Sequence, residues 1–87
     1  MKEIRIRPIH ENKDYLLKLD AGIRFLGGGD QVRITVMLRG REQTHPERAE
    51  PILRKFAKDL ESYAKAEFPL VFEERQVSLT FTPKIIA

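Results

Sequence analysis

Gln31-Val32-Arg33-Ile34-Thr35-Val36-Met37-Leu38-Arg39-Gly40-Arg41-Glu42 is the clearest β pattern in the chain. Val32, Ile34, Val36 and Leu38 alternate with Arg33, Thr35, Met37 and Arg39. Successive strand side chains point to opposite faces, so this period of two predicts a strand with one buried face and one wetter face. The wetter face carries two arginines. The strand then leaves through Arg39-Gly40-Arg41 into a turn. A helical pattern flanks it on each side in sequence, a short strand precedes the first helix, and a hairpin closes the chain.

Before it, Ile4 and Ile6 alternate with Glu3, Arg5 and Arg7, which predicts a short strand ended by Pro8. Ile9 to Asp14 is polar turn material, and Asn12 or Asp14 is suited to capping a helix. Tyr15, Leu16, Leu19, Ile23 and Leu26 then fall on one helical stripe, with Lys13, Lys18, Asp20 and Arg24 off it. Gly27-Gly28-Gly29 stops that helix, and Gly29-Asp30 turns the chain into the second strand.

After it, Thr44 and Glu47 have capping-box spacing, and Pro46 suits a first helical turn. Ala49, Ile52, Leu53, Phe56, Leu60 and Ala64 form the stripe of a second, longer helix. Pro51 falls inside it and deletes one backbone hydrogen bond, so the expectation is a continuous but bent helix. Leu70-Val71-Phe72 reads as a short strand and Glu73-Glu74-Arg75 as a tight turn. Gln76 to Thr82 is the last strand, with Val77, Leu79 and Phe81 inward; Pro83 ends it, and Ile85 and Ile86 lie in a tail.

The predicted fold is α/β, an α+β two-layer sandwich of order β-α-β-α-β-β. Its mixed four-stranded sheet has two parallel crossovers of the usual right hand and a final antiparallel hairpin. Crossovers of one hand running the same way put both helices on one sheet face. The other face is then open, and it is expected to carry Arg5, Arg7, Arg33, Thr35, Met37, Arg39, Ser78 and Thr80. Eighty-seven residues make one domain, residues 1–87, too small for a deep internal cavity. There is no apolar run of about 18 residues for a membrane helix. The N-terminus carries no signal-peptide pattern. The chain has no cysteine, which excludes disulfides, thiol nucleophiles and cysteine-bound zinc and fits a cytoplasmic setting. Sixteen Lys and Arg stand against 13 Asp and Glu, a net charge of +3, so placement matters more than total. An open arginine-rich face predicts an anionic partner. Arg39-Gly40-Arg41 is its sharpest part: Gly40 lets backbone approach a phosphate, and flanking arginines can grip it.

Arg39-Gly40-Arg41-Glu42-Gln43-Thr44-His45 resembles the Arg-Gly-Arg-Glu-x-x-His segment of the C-terminal domain of bacterial translation initiation factor three. The surroundings agree in order. Lys2-Glu3-Ile4-Arg5-Ile6-Arg7-Pro8 is similar to that family's opening strand, and Asp14-Tyr15, Lys18-Leu19 and Arg24-Phe25-Leu26 to its first helix. Gly29-Asp30 with Val32 and Arg33 is similar to its approach to the second strand, and Leu53 with Asp59-Leu60 to its second helix. Arg75-Gln76-Val77 and Thr82-Pro83-Lys84 are similar to its hairpin and tail. The chain departs from the pattern at Gly28, Gln31, Met37, Pro51, Glu74 and in its tail. The resemblance implies a domain that binds the small (30S) ribosomal subunit through 16S ribosomal RNA. It further implies blocked association with the large subunit and support for initiator tRNA and start-codon selection. By position, RNA contact falls on Arg7, Arg24, Arg33, Arg39, Arg41 and Arg75, with Gly40 between two of them. The family's N-terminal domain and lysine-rich linker are not in this sequence, so an isolated domain is expected. It should act as a monomer, without chemistry, cofactor, metal, membrane or small-molecule substrate.

Other classes fit less well. Gly27-Gly28-Gly29 follows a helix and lacks a Gly-Lys-Ser/Thr ending, so it is no phosphate loop. His10 and His45 make no metal spacing with a carboxylate pair, and His45 suits a helix start. An acylphosphatase-like enzyme needs β-α-β-β-α-β order and a glycine-containing anion loop after its first strand, and neither is present. A protein-interaction module using Leu70-Val71-Phe72 as an exposed edge predicts binding indifferent to salt.

Overall fold

The computed structural model describes residues 1–7, 12–40 and 44–84. The elements follow in the order β1 (Lys2–Ile6), α1 (Asn12–Gly27), β2 (Val32–Met37), α2 (Ala49–Asp59), β3 (Ala64–Phe72) and β4 (Gln76–Pro83). A short 3₁₀ turn, Pro46–Arg48, leads into α2. The four strands form one sheet in the order β1-β2-β4-β3. β1 runs parallel to β2, and β4 is antiparallel to both of its neighbours.

Both helices lie over the same face of the sheet, as the crossover argument predicts. Tyr15 and Leu26 from α1 and Leu53 and Phe56 from α2 share one cluster with Ile4, Ile6, Ile34, Val36, Val77, Leu79 and Phe81. The two helices meet at Tyr15 and Phe56, whose ring centroids are 4.5 Å apart in a tilted arrangement. The Tyr15 hydroxyl donates to Asp59, tying the start of α1 to the end of α2. Burial, together with that carboxylate, pushes the Tyr15 phenol well above its ordinary range. Gly22 is buried where α1 crosses β1, and a Cβ there would lie 3.6 Å from Ile4 Cδ1 and 3.8 Å from Leu60 Cδ1.

Several expectations change. The second helix ends at Asp59, and Ala64 opens β3 opposite Pro83. Leu60 is fully buried and accepts at its carbonyl from Tyr63 and Ala64 (2.8 and 2.9 Å), so a turn sustains helical spacing past the helix end. Pro51 is the third residue of α2, not an interior one. First-turn N–H groups have no intrahelical acceptor, so the missing donor costs nothing and no bend is required. β3 begins six residues before Leu70 and contains Pro69. An edge strand tolerates proline, and the register shifts between Glu67 and Val71, where the Phe68–Pro69 bond is cis. Leu16, expected on the α1 stripe, is 59% exposed. Asp14 lies inside the first turn of α1, where a carboxylate meets the positive helix end, and is not its cap. His45, not Thr44, is the N-cap of the 3₁₀ turn and makes no side-chain cap bond. Gly29, at φ +87°, makes the turn that follows α1. The expected tail residues Ile85 and Ile86 lie outside the described residues, as does His10.

Candidate nucleic-acid interface

The open sheet face is less free than an arginine-rich surface implies. Parallel pairing sets Glu3 beside Arg33, and Arg5 beside Thr35. Glu3 Oε2 accepts from Arg33 Nε at 3.1 Å and Nη2 at 2.7 Å, and from Thr35 Oγ1 at 3.3 Å. Glu3 Oε1 accepts from Arg5 Nε at 3.0 Å. The Arg33 hydrogen bonds, followed by that from Arg5, hold the Glu3 carboxyl below its usual range. Thr35 and Ser78 lie opposite each other in mid-sheet and are buried, contrary to the expectation of an exposed hydroxyl row. They are the short residues of a face whose neighbours are long.

Pairing also sorts the expected site residues into two groups. Ile6 is opposite Val36, so Arg7 leaves β1 next to Met37. Met37 is opposite Gln76, and Leu38 N–H donates to the Arg75 carbonyl at 2.9 Å. Arg7, Arg39, Gly40 and Arg75 therefore gather at one end of the sheet. Gly40, directly after Arg39, stands at φ +53°, a left-handed conformation that favours glycine. Arg24 and Arg33 belong to the other end, where α1 finishes and β2 begins. Arg24 Nε lies 3.4 Å from Asp20 Oδ2, one turn back on the same helix. Arg41 lies outside the described residues.

The first group borders a groove of about 550 Å³ lined by Arg5, Ile6, Arg7, Asp14, Lys18, Met37 and Arg39. The ends of β1 and β2 supply one wall and the first turns of α1 the other. Among the described residues its lining carries four positive charges against one negative. Counting Glu3 against Arg5 still leaves the groove positive. Of its two apolar residues, Ile6 is buried in the core and Met37 is half-buried.

Arg5, Arg7, Met37 and Arg39 were expected on the open face from the sequence, whereas Lys18 and Asp14 were not expected at the site. Lys18 follows Asp14 by one helical turn, so the two share a face. That spacing is the signal that could have placed both. Among the described residues no cluster of His, Cys, Asp or Glu could hold a metal ion.

Comparison with known proteins shows the family. The model of the family "Translation initiation factor IF-3, C-terminal domain" matches residues 1–84. Translation initiation factor IF-3 of Caldanaerobacter subterraneus subsp. tengcongensis is 38% identical over 84 residues, 97% of this chain and 47% of that protein. The IF-3 of Caulobacter vibrioides is 38% identical, covering 97% of this chain and 49% of its own length. That of Bradyrhizobium diazoefficiens is 40% identical, covering 97% and 47%. The chain thus spans about half the length of the curated relatives it matches. On a match that runs through all the elements described above, this chain belongs to the family of the IF-3 C-terminal domain.

Proposed function

We propose that this chain is the ribosome-binding domain of a translation initiation factor, binding the small (30S) subunit through 16S rRNA. Bound there, it blocks association with the large subunit and supports initiator tRNA and start-codon selection. The observation that carries the reading is the family match over residues 1–84. The concentration of surplus positive charge in one groove supports it, since phosphate contact dominates nucleic-acid affinity. The family is non-enzymatic, so the arginines act by occupancy and not by chemistry.

Residues 1–87 act as one domain, a monomer in the cytoplasm, with no cofactor, membrane or small-molecule substrate. No helix among the described residues is long and apolar enough to cross a membrane. Of the candidate contacts, Arg7, Arg39, Gly40 and Arg75 carry most of the binding, with Arg41 beside them in sequence. Arg24 and Arg33 lie at the other end of the sheet, away from the groove, and contribute less. The test is co-sedimentation with purified small subunits across a salt series, followed by addition of large subunits. Saturable binding that weakens with salt and keeps the subunits apart is expected. Absence of binding at low salt would overturn the reading.

A further inference from the structure

We propose that Glu3 is a specificity-determining residue of the RNA-binding surface. It withholds Arg5 and Arg33 from RNA phosphate, so that the open sheet face does not grip RNA indiscriminately. The inference rests on the RNA-binding reading above and adds to it a residue that weakens unselective contact. Glu3 belongs to β1 and reaches across to β2. Its carboxylate is seated by four hydrogen bonds from three residues, Arg5 on its own strand and Arg33 and Thr35 on the neighbour. Thr35 is fully buried, so the carboxylate that its hydroxyl reaches lies against the sheet instead of projecting into solvent.

Arg33 gives Glu3 the edge formed by its Nε and Nη2, at 3.1 and 2.7 Å. An arginine grips phosphate with such an edge. Arg5 likewise spends its Nε on Glu3. A phosphate arriving here must displace Glu3 from both arginines and approach its negative charge, and like charges brought together suppress wrong partners. The arginines are not hidden: the side chain of Arg33 is 43% exposed and that of Arg5 is 69% exposed. Without the Glu3 charge, two accessible cations would be left for phosphate. Pairing carries this row on across the sheet, Arg33 beside Thr80 and Thr80 beside Glu67. Glu67 is an exposed carboxylate of the same row with no arginine partner among the described residues.

The test compares the full parent chain with Glu3→Gln and Glu67→Gln in salt-series binding to an oligouridylate, a single strand with no ribosomal structure. Both substitutions remove one negative charge from the same row. Glu3→Gln should bind the oligouridylate at least roughly threefold tighter, with a salt slope steeper by about 0.7 unit for each arginine released to a phosphate. Glu67→Gln should gain clearly less. Arg5→Ala with Arg33→Ala should take back the gain in the Glu3→Gln background. The small subunit, held at the Arg7 end, should gain less than the oligouridylate, so the ratio of the two affinities falls in Glu3→Gln. No gain from Glu3→Gln, an equal gain from Glu67→Gln, a gain that survives loss of both arginines, or an unchanged ratio would overturn the proposal. Salt-sensitive small-subunit binding by the parent, measured alongside, separates those outcomes from failure of the RNA-binding reading itself.

Discussion

Glu3 is the residue on which the open sheet face turns. It accepts from Arg5, Arg33 and Thr35 at once, so two arginines of the surface are held by their own chain. Its carboxyl lies below the ordinary value of 4.5, so the pairing stabilises the fold above about pH 4.5. That contribution is lost as pH falls through the lowered folded value, because the protonated form no longer pairs. Glu3→Gln should therefore cost less than about 1 kcal/mol at neutral pH, the partners being solvent-exposed. Denaturation curves from pH 7 down to pH 3 should converge for the variant and the parent. Curves that stay parallel would assign the acid sensitivity elsewhere. Gly40 makes a different kind of contribution. Its φ of +53° penalises any Cβ, so Gly40→Ala should destabilise by about 1 kcal/mol although none of the described residues is packed against it. A lowered melting temperature checks this, and an unchanged one would mean that the turn relaxes.

At the scale of elements, α1 and α2 owe their positions to contacts across the core more than to intrinsic preference. Gly22 is the weak point of α1, but its surroundings leave room, with the nearest atoms at ordinary contact distance. Gly22→Ala should raise stability by roughly 0.4–1 kcal/mol, through higher helix propensity and a stiffer unfolded chain. Chemical denaturation measures it, and a loss of stability would mean that α1 cannot hold a methyl group between Ile4 and Leu60. The course of β1, α1, β2 and β4 was legible in the sequence because their periods are clean and end at glycine or proline. The end of α2 was not: Leu60 and Ala64 keep helical spacing across a turn, so a pattern of period 3.6 outlasts the helix. The start of β3 was hidden for the opposite reason. Lys65, Glu67 and Pro69 belong to an edge strand, and edge strands need neither alternation nor a full ladder. Leu16 was misread because it is adjacent to Tyr15 and cannot share its inward direction.

For the whole molecule, the strand order decides which basic residues can act together. The resemblance implied one set of contacts, from which the structure describes Arg7, Arg24, Arg33, Arg39, Gly40 and Arg75 but not Arg41. Pairing of β1 with β2, and of β2 with β4, divides them between two ends of the sheet. Lys18 joins the first end because α1 runs back alongside β1: its spacing from Asp14 fixes the helix face they share, and the topology fixes which end of the sheet that face meets. We propose that the end bearing Arg7, Arg39 and Arg75 is the part that meets the RNA. The most direct test compares two multiple variants in salt-series binding to purified small ribosomal subunits. Arg7→Ala with Arg39→Ala and Arg75→Ala should lower affinity at least roughly tenfold and flatten the salt dependence by about one unit of slope per lost phosphate contact. Arg24→Ala with Arg33→Ala should stay within about threefold of the parent and keep its slope, since neither arginine then releases many counterions. Both variants should unfold at nearly the parent temperature. Equal losses from the two ends, or a larger loss from the Arg24 and Arg33 pair, would show that the Arg7 end is not where the RNA binds.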